Sequence, residues 1–159
     1  MRTGLLKALV AIVLVVLGTS ALADSWSRYE NGRFVYGIDI PPGFSEIAEA
    51  ENGDGGVSTS ADGTAQLRVW GGYLVVGDFT SDVADRISSD QSEGWIVSYD
   101  HRKAASASWS GRRGDRIIYE RAVKACDDSS VHFRLEYERA DLDAYDPIVS
   151  RLVGSLRGC

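Results

Sequence analysis

The sequence predicts an α+β domain built as a mainly antiparallel β-sheet covered by two helices, an α/β sandwich. Three observations carry that prediction. Short stretches alternate apolar and polar residues, small polar turn residues separate them, and only two stretches have the helical spacing that a crossover needs.

Residues 33–40 (RFVYGIDI) read as a strand that stops at Pro41-Pro42-Gly43, because two prolines remove ladder donors. Residues 44–50 offer a second strand, and ENGDGG at 51–56 a turn. Residues 57–60 and 66–73 flank Asp62-Gly63, a dipeptide suited to positive φ, and so predict a hairpin. A helix capped by Thr80 or Ser81 is expected to run to about residue 92, with Val83, Ala84 and Ile87 on one face and Gly94 beyond its end. Residues 95–102 return to alternation. Two further strands, 106–110 and 116–124, flank the turn Gly111-Arg112-Arg113-Gly114. In residues 131–138, Val131, Phe133, Leu135 and Tyr137 are expected to face a core and His132, Arg134, Glu136 and Glu138 to face water, and this strand should pair with 116–124. The chain closes on a helix with Tyr145, Ile148, Val149, Leu152, Val153 and Leu156 as its apolar stripe, Asp143 or Asp146 as cap and Pro147 in its first turn.

Ahead of this domain stands a leader. Arg2 and Lys7 introduce an unbroken apolar run of ten residues, 8–17, and Ala21-Leu22-Ala23 completes the pattern of a secretory signal cleaved after Ala23. A membrane span requires roughly 20 apolar residues, well beyond this run. No cysteine follows the run for lipid attachment and no arginine pair precedes it, so the expected destination is the periplasm or the medium. Residues 24–159 are then one domain in length.

Export gives meaning to the cysteines. Cys126 and Cys159 are the only two, and in an oxidising compartment they are expected to form a disulfide. The loop it closes has a chain-entropy value of up to roughly 3.5–4 kcal/mol. The competing reading, a reactive or metal-binding thiol pair, lacks a CxxC motif and a histidine at ligand spacing.

Cleavage lowers the 17 basic residues to 15 against 23 acidic, a net charge of −8. That balance argues against general affinity for nucleic acid or anionic lipid. Within it, residues 24–100 carry 4 basic and 14 acidic side chains, whereas residues 101–124 carry 7 and 2. The basic members are Arg102, Lys103, Arg112, Arg113, Arg116, Arg121 and Lys124. They are a candidate contact patch for an unidentified protein or anionic ligand; local pairing with nearby acids across the sheet is the plainer alternative. Trp70 and Trp95 fall in alternating strands and are expected in the core. Trp26 and Trp109 are the candidates for exposure, Trp109 beside the arginines where it would suit a sugar or peptide.

Catalytic patterns are weak. There is no GxSxG and no serine followed three residues later by lysine. The acidic turn 51–56 has glycines where a calcium loop needs ligands. No cofactor motif occurs. The sequence therefore favours a soluble binding or accessory protein of the envelope with no catalytic residue. The alternative is a small periplasmic hydrolase in which His101 and His132 converge with acidic residues. Ligand and oligomeric state are open.

The order of elements carries a resemblance. An aromatic strand running into GIDIPPGF, the hairpin ADGTAQLRVW, a middle helix, several strands and a closing apolar helix resemble the PsbP-like fold family. That resemblance implies antiparallel sheets between helices, used by extrinsic photosystem accessory proteins and their bacterial relatives as binding or assembly factors. WSRYENGRF and WSGRRGDRIIYER also resemble segments of small exported bacterial proteins. No site residue carries over from either likeness.

Overall fold

The structure, a computed structural model, describes residues 25–75 and 77–159. The expected leader and its expected cleavage point lie outside the described residues.

Tight turns fold successive strands onto each other. β1 (Ser27–Asn31) and β2 (Tyr36–Ile40) form the first hairpin. Its turn is held by Asn31, whose side-chain oxygen accepts the backbone N–H groups of Arg33 and Phe34 at 3.1 and 2.9 Å. The strand expected at 33–40 is shortened to Tyr36–Ile40 for that reason. The C-terminal β10 (Arg157–Gly158) pairs with the other side of β2, completing a three-stranded sheet.

The larger sheet has seven strands. β3 (Ala48–Glu49), β4 (Gly55–Thr59), β5 (Gln66–Tyr73), β6 (Ile96–Lys103), β7 (Ser106–Arg113), β8 (Arg116–Lys124) and β9 (Ser129–Glu138) are ordered β3-β4-β5-β9-β8-β7-β6, every neighbour antiparallel. The Asp62-Gly63 hairpin forms as expected: Gly63 has φ +74°, and Asp62 accepts from Ser60 Oγ at 2.6 Å and from the Thr64 N–H at 3.1 Å. The expected strand at 44–50 contracts to β3, because Gly43 at φ +75° turns the chain and Phe44 makes only an isolated bridge to Ser60. The β7–β8 turn also moves. Arg113 pairs with Arg116, so the tip is Gly114-Asp115 and Arg112 lies within the strand.

α1 (Phe79–Ser92) joins β5 to β6, and α2 (Leu142–Ser155) follows β9 after a single 3-10 turn. The cap of α1 is Asp78 rather than Thr80 or Ser81; its carboxylate accepts the Ser81 N–H at 2.8 Å. α2 begins at Leu142, ahead of both expected caps, which places Pro147 in its second turn.

The two helices take opposite faces of the large sheet. On one face Leu67, Val69, Val131, Phe133 and Leu135 meet β2 and the Val149, Leu152 and Leu156 stripe of α2. On the other, Phe79, Val83 and Ile87 of α1 cover Ala107, Trp109 and Ala122. Each fully buried side chain of this size contributes roughly 1.5–3 kcal/mol. Covering both faces overturns two expectations. His132, expected toward water, is fully buried, and so is Trp109, expected at the surface. A period of two assigns a residue to a face; it cannot say that a helix from another part of the chain lies on that face.

A disulfide joins Cys126 and Cys159, their Cα atoms 5.7 Å apart. It ties the β8–β9 turn, where Asp127 and Asp128 both adopt positive φ, to β10 and thus the large sheet to the small one.

Candidate functional site

α1 covers only the β7–β8 part of its face. Between its flank and β4, a cleft of about 590 Å³ remains open. Alternation and register decide its floor, since directly paired residues of antiparallel strands share a face. Arg68 pairs with Arg134, which pairs with Glu120, which pairs with Trp109. One row on, Trp70 pairs with His132 and His132 with Ala122. Arg86, Ser89 and Asp90 of α1 form one wall, and Asp54, Gly56 and Val57 the other.

The rear of the floor is a buried ionic layer. Arg134 donates through Nη1 to Asp90 at 2.6 Å and to Glu120 at 3.0 Å. Asp90 also accepts the indole N–H of Trp109 at 2.7 Å. Burial raises Glu120 to about 7; Arg134 opposes that shift and Asp90 adds to it. Burial, reinforced by Arg86, holds His132 well below its usual value. His132 is therefore neutral, with Nε2 2.8 Å from Ser130 Oγ, and its 3.9 Å approach to Glu120 is not an ion pair. Its ring stacks on Trp70 with centroids 4.9 Å apart and planes within 3°.

At the rim, two guanidinium groups lie against the Trp95 ring, Arg113 at 4.4 Å and Arg134 at 5.4 Å from its centroid. Arg113 also donates to the Glu93 carbonyl at 3.0 Å. The Trp95 Nε1–H is buried with no acceptor among the described residues.

The sequence-derived contact residues do not assemble into one patch. Arg102 lies across from Ala107, six residues along β7 from Arg113, or about 20 Å. Arg102 is bound to Asp100 at 2.5 Å, and Lys103 stands exposed beside it at the far end of the meander. Arg112, Arg113 and Arg116 gather at the tip. Arg116 is spent on Glu136 at 3.1 Å and the Thr64 carbonyl at 2.7 Å; Arg113 joins the cleft; Arg112 borders a second hollow beside α2, with Tyr99 and Tyr119. Trp109 has no surface to offer a sugar or peptide, because α1 covers it. Trp95 is core as expected, while Trp70 is only half buried and faces the cleft.

The histidines do not converge. His101 pairs with Ser108, Ser108 with Arg121, and Arg121 with Phe133, so His101 sits three strands from His132 and on the opposite face. That is about 14 Å across the strands alone. A shared acid–base pair for hydrolysis is absent. Among the described residues no group of three or more His, Cys, Asp or Glu side chains could hold a metal ion.

The residues missed by sequence reasoning are Arg68, Arg86, Arg134, Glu120 and Asp90. Their signal was faint. Arg134 stood at a strand position assigned to water and Glu120 in a strand given no facing, and only the strand order brings them under α1.

These features define the class of the molecule, an α+β sandwich with a PsbP-like fold and a polar, aromatic-lined cleft on its α1 side. No protein-family model matches the sequence, and no curated protein matches it. Solved structures do match. The solution structure of cyanobacterial PsbP (CyanoP) from Synechocystis superposes with a TM-score of 0.65 at 14% identity, covering 88% of this chain and 96% of that one. The Ran-binding protein Mog1p of Saccharomyces cerevisiae superposes with a TM-score of 0.64 at 9% identity, covering 86% and 96%. At these identities the likeness is one of fold. No helix among the described residues is long and apolar enough to cross a membrane.

Proposed function

We propose that this chain is an exported accessory protein of the cell envelope that binds a partner without transforming it, through the α1-side cleft and the adjoining end of β7, where Arg113 lines the cleft and Arg112 faces the hollow on the other side. The observation that carries this reading is the composition of the cleft. It offers tryptophan faces and arginine heads around a floor in which Arg134 is bonded to both Asp90 and Glu120, and the Ser130–His132 contact beneath that floor is fully buried, with no surface to offer a substrate. The fold supports the same reading, because one of the structures it superposes on is named for binding another protein. Export rests on the leader pattern of residues 1–23 and agrees with the disulfide.

Two measurements test it. N-terminal sequencing of the protein recovered from the periplasm is expected to begin at Asp24; an uncleaved cytoplasmic product would overturn export. Affinity capture from the periplasm with the mature protein is expected to retain a partner that the double variant Arg112→Glu, Arg113→Glu loses. The variant's melting temperature should stay within a few degrees, since a rim cation–π contact is worth about 0.5–1 kcal/mol. Equal capture by the variant would remove the tip from the contact surface, and no capture by the wild type would sink the binding reading.

A further inference from the structure

The charge arrangement of the cleft goes beyond a generic contact surface. Arg68 and Arg134 are directly opposite each other on β5 and β9. Residues so placed have Cβ atoms about 4.5–5.5 Å apart, and like charges there are destabilising. Arg134 is compensated by Asp90 and Glu120. Arg68 is not: its one hydrogen bond runs from Nε to the neutral amide oxygen of Gln66 at 2.7 Å. The acids around it are engaged, Glu136 by Arg116, Asp54 by Asn52, and Asp90 by Trp109 and Arg134. Glu93, the acid that makes no side-chain bond here, lines the cleft at the C-terminal end of α1, and Asp82 is taken by Arg86. The terminal nitrogens of Arg68 thus face the cleft with donors and charge unspent.

Next to that charge is a flat apolar surface. Trp70 lies one row along β5 on the same face, stacked on His132 by one side of its ring. Trp70 is only half buried and lines the cleft, so part of the indole surface stays open beside Arg68. The cleft runs from Val57 on β4 across β5, β9 and β8 to Arg113 on β7. Four inter-strand spacings make about 19 Å, the reach of five or six residues of extended chain.

We infer that this cleft binds an extended acidic peptide segment, with a carboxylate on Arg68 and an aromatic side chain beside it on Trp70. The inference rests on the proposed binding function and names the chemistry of the partner segment. Arg68 supplies a charge-assisted, two-pronged contact to the carboxylate, Trp70 supplies the stacking surface, and the Asp90–Arg134–Glu120 layer keeps the floor rigid.

The probe is the peptide acetyl-Glu-Phe-Glu-amide, titrated into the mature, disulfide-bonded protein and followed by tryptophan fluorescence and by the indole N–H resonances. Saturable binding is expected, weakened by roughly tenfold when both glutamates of the peptide are glutamine and by a similar factor in Arg68→Ala, a change at an exposed position that leaves the fold intact. The Trp70 resonance should shift, while that of Trp109, bonded to Asp90 beneath the floor, should not. Equal binding of the glutamine peptide, unchanged binding by Arg68→Ala, or displacement of the peptide by equimolar inorganic phosphate would overturn the inference. The two readings fail separately. A periplasmic partner captured equally by wild type and Arg68→Ala would overturn the cleft assignment and leave the binding function standing. Absence of any partner alongside specific binding of the acidic peptide would do the reverse.

Discussion

Replacing Glu120 by glutamine keeps the shape of the side chain and removes one titration from a buried layer in which two groups titrate in opposite senses. Glu120 is raised from 4.5 to about 7, so between those values the native state holds a proton that the unfolded chain has released. Its stabilising contribution is complete below about pH 4.5 and is lost as pH rises through 7. His132 runs the other way. Held well below 6.5, it stays neutral in the native state while the unfolded chain takes up a proton, so its contribution is complete above 6.5 and falls on acidification. Between about pH 5 and 6 the two states therefore bind equal numbers of protons at these sites, and the wild type should be nearly level. Asp39, Asp62 and Asp78 are lowered from 3.8 and act below this window.

In Glu120→Gln only the His132 term remains. Stability should fall by about 2 kcal/mol from pH 6.5 to pH 5, at about 1.4 kcal/mol per pH unit, or roughly 6–10 °C in melting temperature for a domain of this size. The complementary His132→Gln variant should instead lose a similar amount as pH rises from 5 to 6.5. Urea denaturation followed by tryptophan fluorescence at pH 5, 5.75 and 6.5 reads both. Parallel pH profiles for wild type and Glu120→Gln would refute the opposed-titration account.

Three other outcomes are expected. Cys126→Ser, or reduction of the bridge, should cost up to about 3–4 kcal/mol from the 33-residue separation, read as the loss in denaturant midpoint; an unchanged midpoint would show that the tie between the sheets contributes nothing. Trp109→Phe removes the buried donor to Asp90 and leaves unfilled volume under α1, so a loss of about 2–4 kcal/mol by thermal melt is expected, and a loss below about 0.5 would contradict the packing described. Val35 is an exposed β-branched residue at φ +49°, so Val35→Asn should raise stability by up to about 1 kcal/mol; a drop would show that the strained turn is compensated by contacts of the valine side chain.

Much of the secondary structure was legible. The β5, β8 and β9 strands, the Asp62-Gly63 hairpin and both helices follow from alternation, turn dipeptides and a 3.6-residue stripe, which are local properties of consecutive residues. Element ends were less so, because a cap such as Asp78 or a turn such as Asn31–Phe34 depends on side-chain bonds that several nearby residues compete to make. The candidate site was largely illegible. The concentration of basic residues at 101–124 is real in sequence, yet the antiparallel meander sends Arg102 and Arg113 to opposite ends of the β6–β7 hairpin and spends Arg102 and Arg116 on local acids. Arg68, whose charge meets no acid in the cleft, comes from outside that segment.

The sequence by itself determined the α+β class, the positions of most elements, the pairing of β8 with β9 and the residues able to form a disulfide, because each depends on patterning or on a small set of candidates. Tertiary structure alone decided that β5 enters the sheet beside β9 and that α1 returns over the face opposite α2. Those two placements bury Trp109 and His132, set Arg68 against Arg134 and leave the cleft open beside Trp70. The physical reason is that strand periodicity records which side a residue faces, whereas the neighbours it meets there are set by long-range packing of segments far apart in the chain.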